Sequence, residues 1–126
     1  MNTIPTDAGQ IDLEDSSVSA VSREGDVVVI SFDVGRIWIG SESFEVADLD
    51  LKLWGVKHEA ATFHGPEVVA LAVNGASVPL HVVEVVEYSG GVLELQGLRK
   101  NEPWCVWRIE GRGATLNWNG KSRDVL

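Results

Sequence analysis

The feature that most constrains this chain is its punctuation. Short β-branched runs are cut by glycines, often about ten residues apart, at Gly25, Gly35, Gly40, Gly55, Gly65, Gly75, Gly90, Gly91, Gly97, Gly111, Gly113 and Gly120. Turn residues at that spacing between β-prone runs are the signature of a sandwich or barrel. No stretch offers a sustained i, i+3, i+4, i+7 apolar pattern with a capping signal. The best helical chance, Val78 to Val86, is β-branched, which argues against a helix. The expected fold is all-β: an antiparallel β-sandwich or partly open barrel of about eight to ten short strands with little or no helix.

Individual strands follow from period and composition. Val27 to Phe32 is a β-branched run after the turn Arg23-Glu24-Gly25-Asp26, with Ser17 to Ser22 as its partner arm. Arg36 to Ile39 and Ser43 to Val46 flank Gly40-Ser41-Glu42, which reads as a hairpin. Asp48 to Trp54 alternates, with Leu49, Leu51 and Leu53 inward and Asp48, Asp50 and Lys52 outward. Val56 to Phe63 and Val68 to Val73 are joined through His64-Gly65-Pro66-Glu67, and Asn74-Gly75 is a strong hairpin dipeptide. Two more hairpins are expected, around Ser89-Gly90-Gly91 and around Glu110-Gly111-Arg112-Gly113. Residues 1–10 carry Pro5, Gly9 and small polar side chains without periodicity and read as a flexible tail, leaving residues 11–126 as a single domain. A folded monomer of 13.7 kDa exposes roughly 6,600 Å².

Most constellations that could carry chemistry fail on spacing. His58-Glu59-Ala60-Ala61-Thr62 starts like a zinc-protease motif but has Thr62 where the second histidine belongs, on a segment that reads as strand. His58 and His64 share strand parity but stand roughly 20 Å apart along an extended chain. Asn119-Gly120-Lys121-Ser122 resembles the end of a phosphate loop, but Thr115 occupies the position of its first glycine. Asp48 and Asp50 are close enough for a cation or a two-acid site, yet Lys52 continues the same outward row. Cys105, between Trp104 and Val106, sits in an apolar strand that raises its pKa and makes it inert. Trp104 and Trp107 must face opposite sides of one strand, while Trp38, Trp54 and Trp118 lie near strand ends where an indole is half exposed. These readings predict no enzyme, no metal and no cofactor.

Charge supplies the functional lead. The formal charge is −9. Residues 1–59 hold 12 acids and 4 bases, whereas residues 60–126 hold 7 acids and 6 bases, so −8 of the total lies in the first part. Such a field disfavours nucleic acid and anionic membrane as partners and attracts basic proteins. No apolar run is long enough for a membrane-spanning helix. A lone cysteine and an N-terminus without a basic, then apolar, leader point to the cytoplasm.

Length, acidity, the strand-rich pattern and the run Glu102-Pro103-Trp104-Cys105-Val106-Trp107-Arg108-Ile109-Glu110, followed by Leu116-Asn117-Trp118, resemble the small acidic immunity proteins of bacterial polymorphic and contact-dependent toxin systems. The resemblance implies stoichiometric neutralisation, in which an acidic face docks a basic toxin domain of nuclease type. The contact residues would then be Asp12, Glu14, Asp15, Glu42, Glu45, Asp48 and Asp50, with Trp38 or Trp54 as anchors. The same strands could instead close around a small ligand, with Trp104 or Trp107 lining an apolar cavity, or form a homo-oligomeric accessory domain through the edge near Val82 to Val86. The expected state is a monomer or weak dimer.

Overall fold

A computed structural model describes residues 2–99 and 104–126. Glu102 and Pro103 of the closing run, and Met1 of the expected tail, lie outside the described residues. The described chain is antiparallel β throughout, in twelve strands and no helix: β1 (Thr3–Pro5), β2 (Gln10–Asp12), β3 (Val18–Glu24), β4 (Val27–Ile39), β5 (Glu42–Trp54), β6 (His58–His64), β7 (Val68–Leu71), β8 (Val82–Ser89), β9 (Val92–Leu98), β10 (Trp104–Glu110), β11 (Gly113–Trp118) and β12 (Lys121–Asp124). Tight two-residue turns join several of them. Gly25 and Gly40 take positive φ in the β3–β4 and β4–β5 turns. Gly90-Gly91 and Asn119-Gly120 place both central residues at positive φ, the geometry that a type I′ hairpin demands.

The strands form two sheets. One runs β1-β2-β4-β5-β11-β12, with β3 also paired to β4; the other runs β7-β6-β10-β9-β8. The first sheet curls into a half-barrel whose ends meet: Thr6 bridges Val125, Asp7 N–H donates to Asp124 O at 2.9 Å, and Leu126 N–H donates to Pro5 O at 3.1 Å. The two sheets are stitched at Ser17–Val82, where Val18 N–H donates to His81 O and Val83 N–H to Ser16 O. Between them lies one apolar cluster that includes Ile4, Ile30, Phe32, Leu51, Leu53, Leu93, Leu95, Cys105, Trp107 and Leu116. The accessible area of 6672 Å² is that of a folded monomer of this mass.

Four expectations are corrected. Residues 1–10 are not a tail across the described part: Ile4 is fully buried, β1 pairs with β2, and Thr6 closes the connection by donating from Oγ1 to Gly9 O and accepting from Gly9 N–H. Glu110 to Gly113 is not a hairpin but a corner between sheets. β10 pairs with β6 and β9 whereas β11 pairs with β5 and β12, and Gly111 N–H is held by Gly91 O while Arg112 N–H is held by Trp54 O. Asn74-Gly75 makes no hairpin; Ser77 N–H donates back to Asn74 O in a loop that follows β7. The dipeptide that does make one is Asn119-Gly120, between β11 and β12.

The fourth correction concerns β4 and β5, which merge four expected short strands into one hairpin of two 13-residue strands. The inward sets do not keep one parity along it. Phe32 and Leu49 oppose each other and are buried, but the next buried pair is Gly35 and Val46, three residues on in each strand. Between them Asp33, Val34, Ala47 and Asp48 are all exposed, and Asp48 takes φ 53. Alternation therefore holds from Leu49 to Leu53 and breaks at Asp48, because a left-handed residue reverses the pleat.

Candidate functional site

The half of the hairpin beyond this irregularity carries the acidic surface. β2 lies against it, and the register sets Asp12, Arg36 and Glu45 side by side on three neighbouring strands. After β2 the chain turns tightly. Glu14 N–H donates to Asp12 Oδ1 at 2.9 Å, Asp15 takes φ 65 and donates its N–H to Val83 O at 2.8 Å, and the buried Ser16 hydroxyl donates to Val34 O. These bonds fix Glu14 and Asp15 along the rim of a groove of about 200 Å³ lined by Asp12, Glu14, Asp15, Ser16, Val34, Gly35, Arg36 and Glu45. Four carboxylates and one guanidinium thus line the same groove, and the guanidinium's Nη1 donates to Ser43 Oγ at 3.2 Å.

Next to the groove the hairpin runs past the core. Trp38 lies opposite Ser43 and Gln10, on the same face as Arg36, while Ile39 lies opposite Glu42 at the turn. Trp38, Ile39 and Phe44 are all exposed. The sequence reading named Trp38 and Glu42 but missed Ile39 and Phe44. Their signal was present: apolar residues on both sides of a turn glycine, at the end of a hairpin too long for its interior.

The remaining expected contacts lie elsewhere. Asp48 sits at the parity break, and Asp50 accepts a 2.7 Å hydrogen bond from Ser31 Oγ on the outer face beyond it. Trp54 ends β5, about twelve residues and so roughly 40 Å along the strand from Glu42. There its ring fills the space over Gly113, where a Cβ would come within 2.4 Å of it. Asp12, Glu14, Asp15 and Glu45 therefore form one cluster with Trp38 on the same face; Glu42 lies at the turn on the other face, opposite Ile39; Asp48 and Asp50 lie beyond the parity break, and Trp54 is separate.

Other candidates resolve into packing. Trp107 is buried, with Nε1 donating to Glu59 Oε2 at 2.8 Å, and Trp104 faces outward with Nε1 donating to Gln96 Oε1 at 3.0 Å. Trp118, expected to be half exposed, is buried in β11. Burial pushes the Cys105 thiol up to about 11, with the charge of Arg99 acting weakly the other way. His58 and His64 sit at opposite ends of β6, and no group of three metal-ligating side chains occurs among the described residues. A cleft of about 310 Å³ opens between β1, β2 and β8, lined by Thr3, Pro5, Gln10, Val86, Glu87, Tyr88 and Ser89; burial raises the pKa of the Tyr88 hydroxyl there. Among the described residues no helix is long and apolar enough to cross a membrane.

No protein-family model matches the chain, and neither a curated protein nor a solved structure shows significant similarity to it.

Proposed function

We propose that this chain is a non-catalytic binding protein whose acidic groove and apolar hairpin tip dock a basic protein surface, as an immunity protein docks a toxin domain of nuclease type. One observation carries the reading: Asp12, Glu14, Asp15 and Glu45, drawn from two separate segments, converge on one groove, with the exposed Trp38 on the same face of the hairpin end and the exposed Ile39 and Phe44 on its other face. Fixed carboxylates steer a cationic partner and accelerate encounter, while an exposed indole supplies the apolar contact that slows dissociation. A nuclease surface built to hold phosphates presents the complementary charge. The small-ligand alternative rests on the cleft beside Tyr88, whose volume lies at the lower end for ligand pockets.

The test begins at the neighbouring open reading frame, which is expected to encode a large protein with a basic, toxin-like C-terminal domain; bacteria expressing that domain are grown with and without the chain, and association kinetics are measured between the two purified proteins. Rescue and tight binding are expected. Reversing Asp12 and Glu45 to lysine slows association by about tenfold or more at low salt, whereas reversing Asp48 and Asp50 changes it less. Absence of both rescue and binding, or an equal effect from the two pairs, contradicts this assignment of surface and function.

A further inference from the structure

The second sheet ends in a strand whose outer edge pairs with no other strand among the described residues. β7 pairs with β6 on one side only, as the terminal member of its sheet. Its sequence is Val68-Val69-Ala70-Leu71, without a charge or a proline, and Val68 and Val69 are 68% and 47% exposed although they point to opposite faces. Sheet edges in monomeric proteins are normally blunted by lysine, proline, a bulge or a covering segment, because a row of free backbone donors and acceptors recruits another strand. The other end of this sheet is guarded: β8, the edge expected to serve oligomerisation, is bridged to Ser17 and flanked by β1.

We infer that β7 is the edge through which two copies of this chain associate, by antiparallel β7–β7′ pairing that extends the five-stranded sheet across a twofold axis. The occupant follows from charge and from symmetry. Two molecules of net charge −9 repel each other over most of their surfaces, but between residues 60 and 75 the only charged side chain is Glu67. With Glu67 before the strand and Arg99 lining the pocket at Leu71 and Ala72, the surroundings of this edge balance in charge, and a second copy approaches there with least repulsion. An uncharged, β-branched strand is also its own complement: an antiparallel pairing centred on Val69 sets Val69 against Val69′ and Val68 against Ala70′ on matching faces. Strand length sets the strength. Four residues span roughly 14 Å, too little for the area of a permanent dimer, so the association is reversible with a dissociation constant on the order of 10–100 μM. This surface lies on a different sheet from the acidic groove, and the inference stands independently of the proposed function.

Sedimentation velocity of the purified chain across 1–500 μM, with the V68K and V69K variants alongside, decides the matter. The expected result is a concentration-dependent dimer, strengthened by added salt because screening relieves the −9 repulsion. Each lysine variant weakens it by about tenfold or more while keeping its thermal midpoint. A lysine lowers the net negative charge, so general electrostatics would favour association; loss of the dimer reports the edge itself. Hydrogen exchange over residues 68–71 becomes slower as the concentration of the unmodified chain rises. A chain that stays monomeric at 500 μM, variants that dimerise as well as the parent, or concentration-dependent protection that appears elsewhere overturns the proposal. V68K, at the more exposed position, keeps the test decisive should V69K fail to fold.

Discussion

Replacing Glu59 with alanine should cost this protein about 3–5 kcal/mol of stability. The side chain holds together three parts of the fold that no hairpin connects. Its two oxygens accept Arg23 Nε at 2.9 Å and Nη2 at 2.7 Å, so β3 of the first sheet is clamped to β6 of the second by a bidentate fork. The same Oε2 accepts the indole N–H of Trp107, which is fully buried in β10. The other arm of the guanidinium donates to Ser77 O at 2.8 Å and Gly75 O at 3.2 Å, pinning the loop after β7. Both charged side chains are almost out of solvent, at 10% and 9% exposure. Removing the carboxylate leaves an unpaired buried cation and orphans the Trp107 N–H. The first alone costs about 3–5 kcal/mol when nothing else receives the charge, and the second about 1–3 kcal/mol. The carbonyls of Gly75 and Ser77 still accept from Arg23 and soften the first term, which keeps the total near the stated range.

For 126 residues the unfolding entropy is about 265 cal/mol/K, so the thermal midpoint falls by roughly 11–19 °C. Urea unfolding followed by tryptophan fluorescence gives the free energy, with an unchanged m-value showing that the denatured state is not involved. The double variant R23M/E59M separates pairing from burial. Two apolar groups need no partner, so it should recover at least half of the loss, and the cycle should show strong coupling between the sites. A loss below about 1 kcal/mol for E59A, the value of a solvated surface pair, would refute the argument.

Two further outcomes follow from the packing. Gly97→Ala places a Cβ 1.9 Å from the carbonyl oxygen of Val82, a backbone atom that moves only if the β8–β9 register yields; an unfolding curve should show a loss of about 2–3 kcal/mol. Gly25→Ala meets nothing within 4 Å and carries only the cost of its φ of 58°, about 1 kcal/mol, so equal losses would contradict the steric account. The Cys105 thiol, raised from 9.0 to about 11 by burial, is protonated in folded and unfolded chains alike below pH 9. Its contribution is therefore fully present there and is lost between pH 9 and 11, at roughly 2–3 kcal/mol. C105A should flatten that alkaline decline in urea midpoints, leaving a smaller residue from Tyr88, whose pKa is raised in the same direction.

The hairpins at Gly25, Gly40 and Gly90-Gly91 were legible from the local chemistry of the turn, whereas Asn119-Gly120 was passed over and Asn74-Gly75 over-read. Gly90-Gly91 needs positive φ twice, and the strands on either side pair whatever surrounds them. The connection Glu110-Gly111-Arg112-Gly113 has the same composition, yet there the glycines serve close approach: Gly111 lies under the Trp54 carbonyl and Gly113 under the Trp54 ring. Composition does not separate a turn within a sheet from a corner between sheets, because both need a residue without a Cβ and only the partner's identity differs. The first residues were misread for a related reason. Three-residue strands such as Thr3–Pro5 show no period, and Ile4 is buried only because the far end of the chain, at Asp124 to Leu126, returns to close the sheet beside it.

The acidic surface was legible as a count and only partly as a place. Charge excess in residues 1–59 needs no structure, but the grouping of those acids depends on which face each strand position takes. From Asp48 to Trp54 the alternation looks continuous, and continuity would put Asp48 and Asp50 in one row with Val46 and turn Glu45 inward with Leu49. The observed chain breaks parity at Asp48, a residue type whose short polar side chain tolerates left-handed φ at little cost. That local choice turns Val46 inward and Glu45 outward beside Arg36, which supplies the groove with its carboxylate from β5, while Asp50 stays with Ser31. Because the outward placing of Glu45 arises from one backbone conformation, the contrast between charge reversal at Asp12 with Glu45 and at Asp48 with Asp50 tests the geometry as well as the function. A partner that senses only total charge responds equally to both pairs, and a partner that docks in the groove does not.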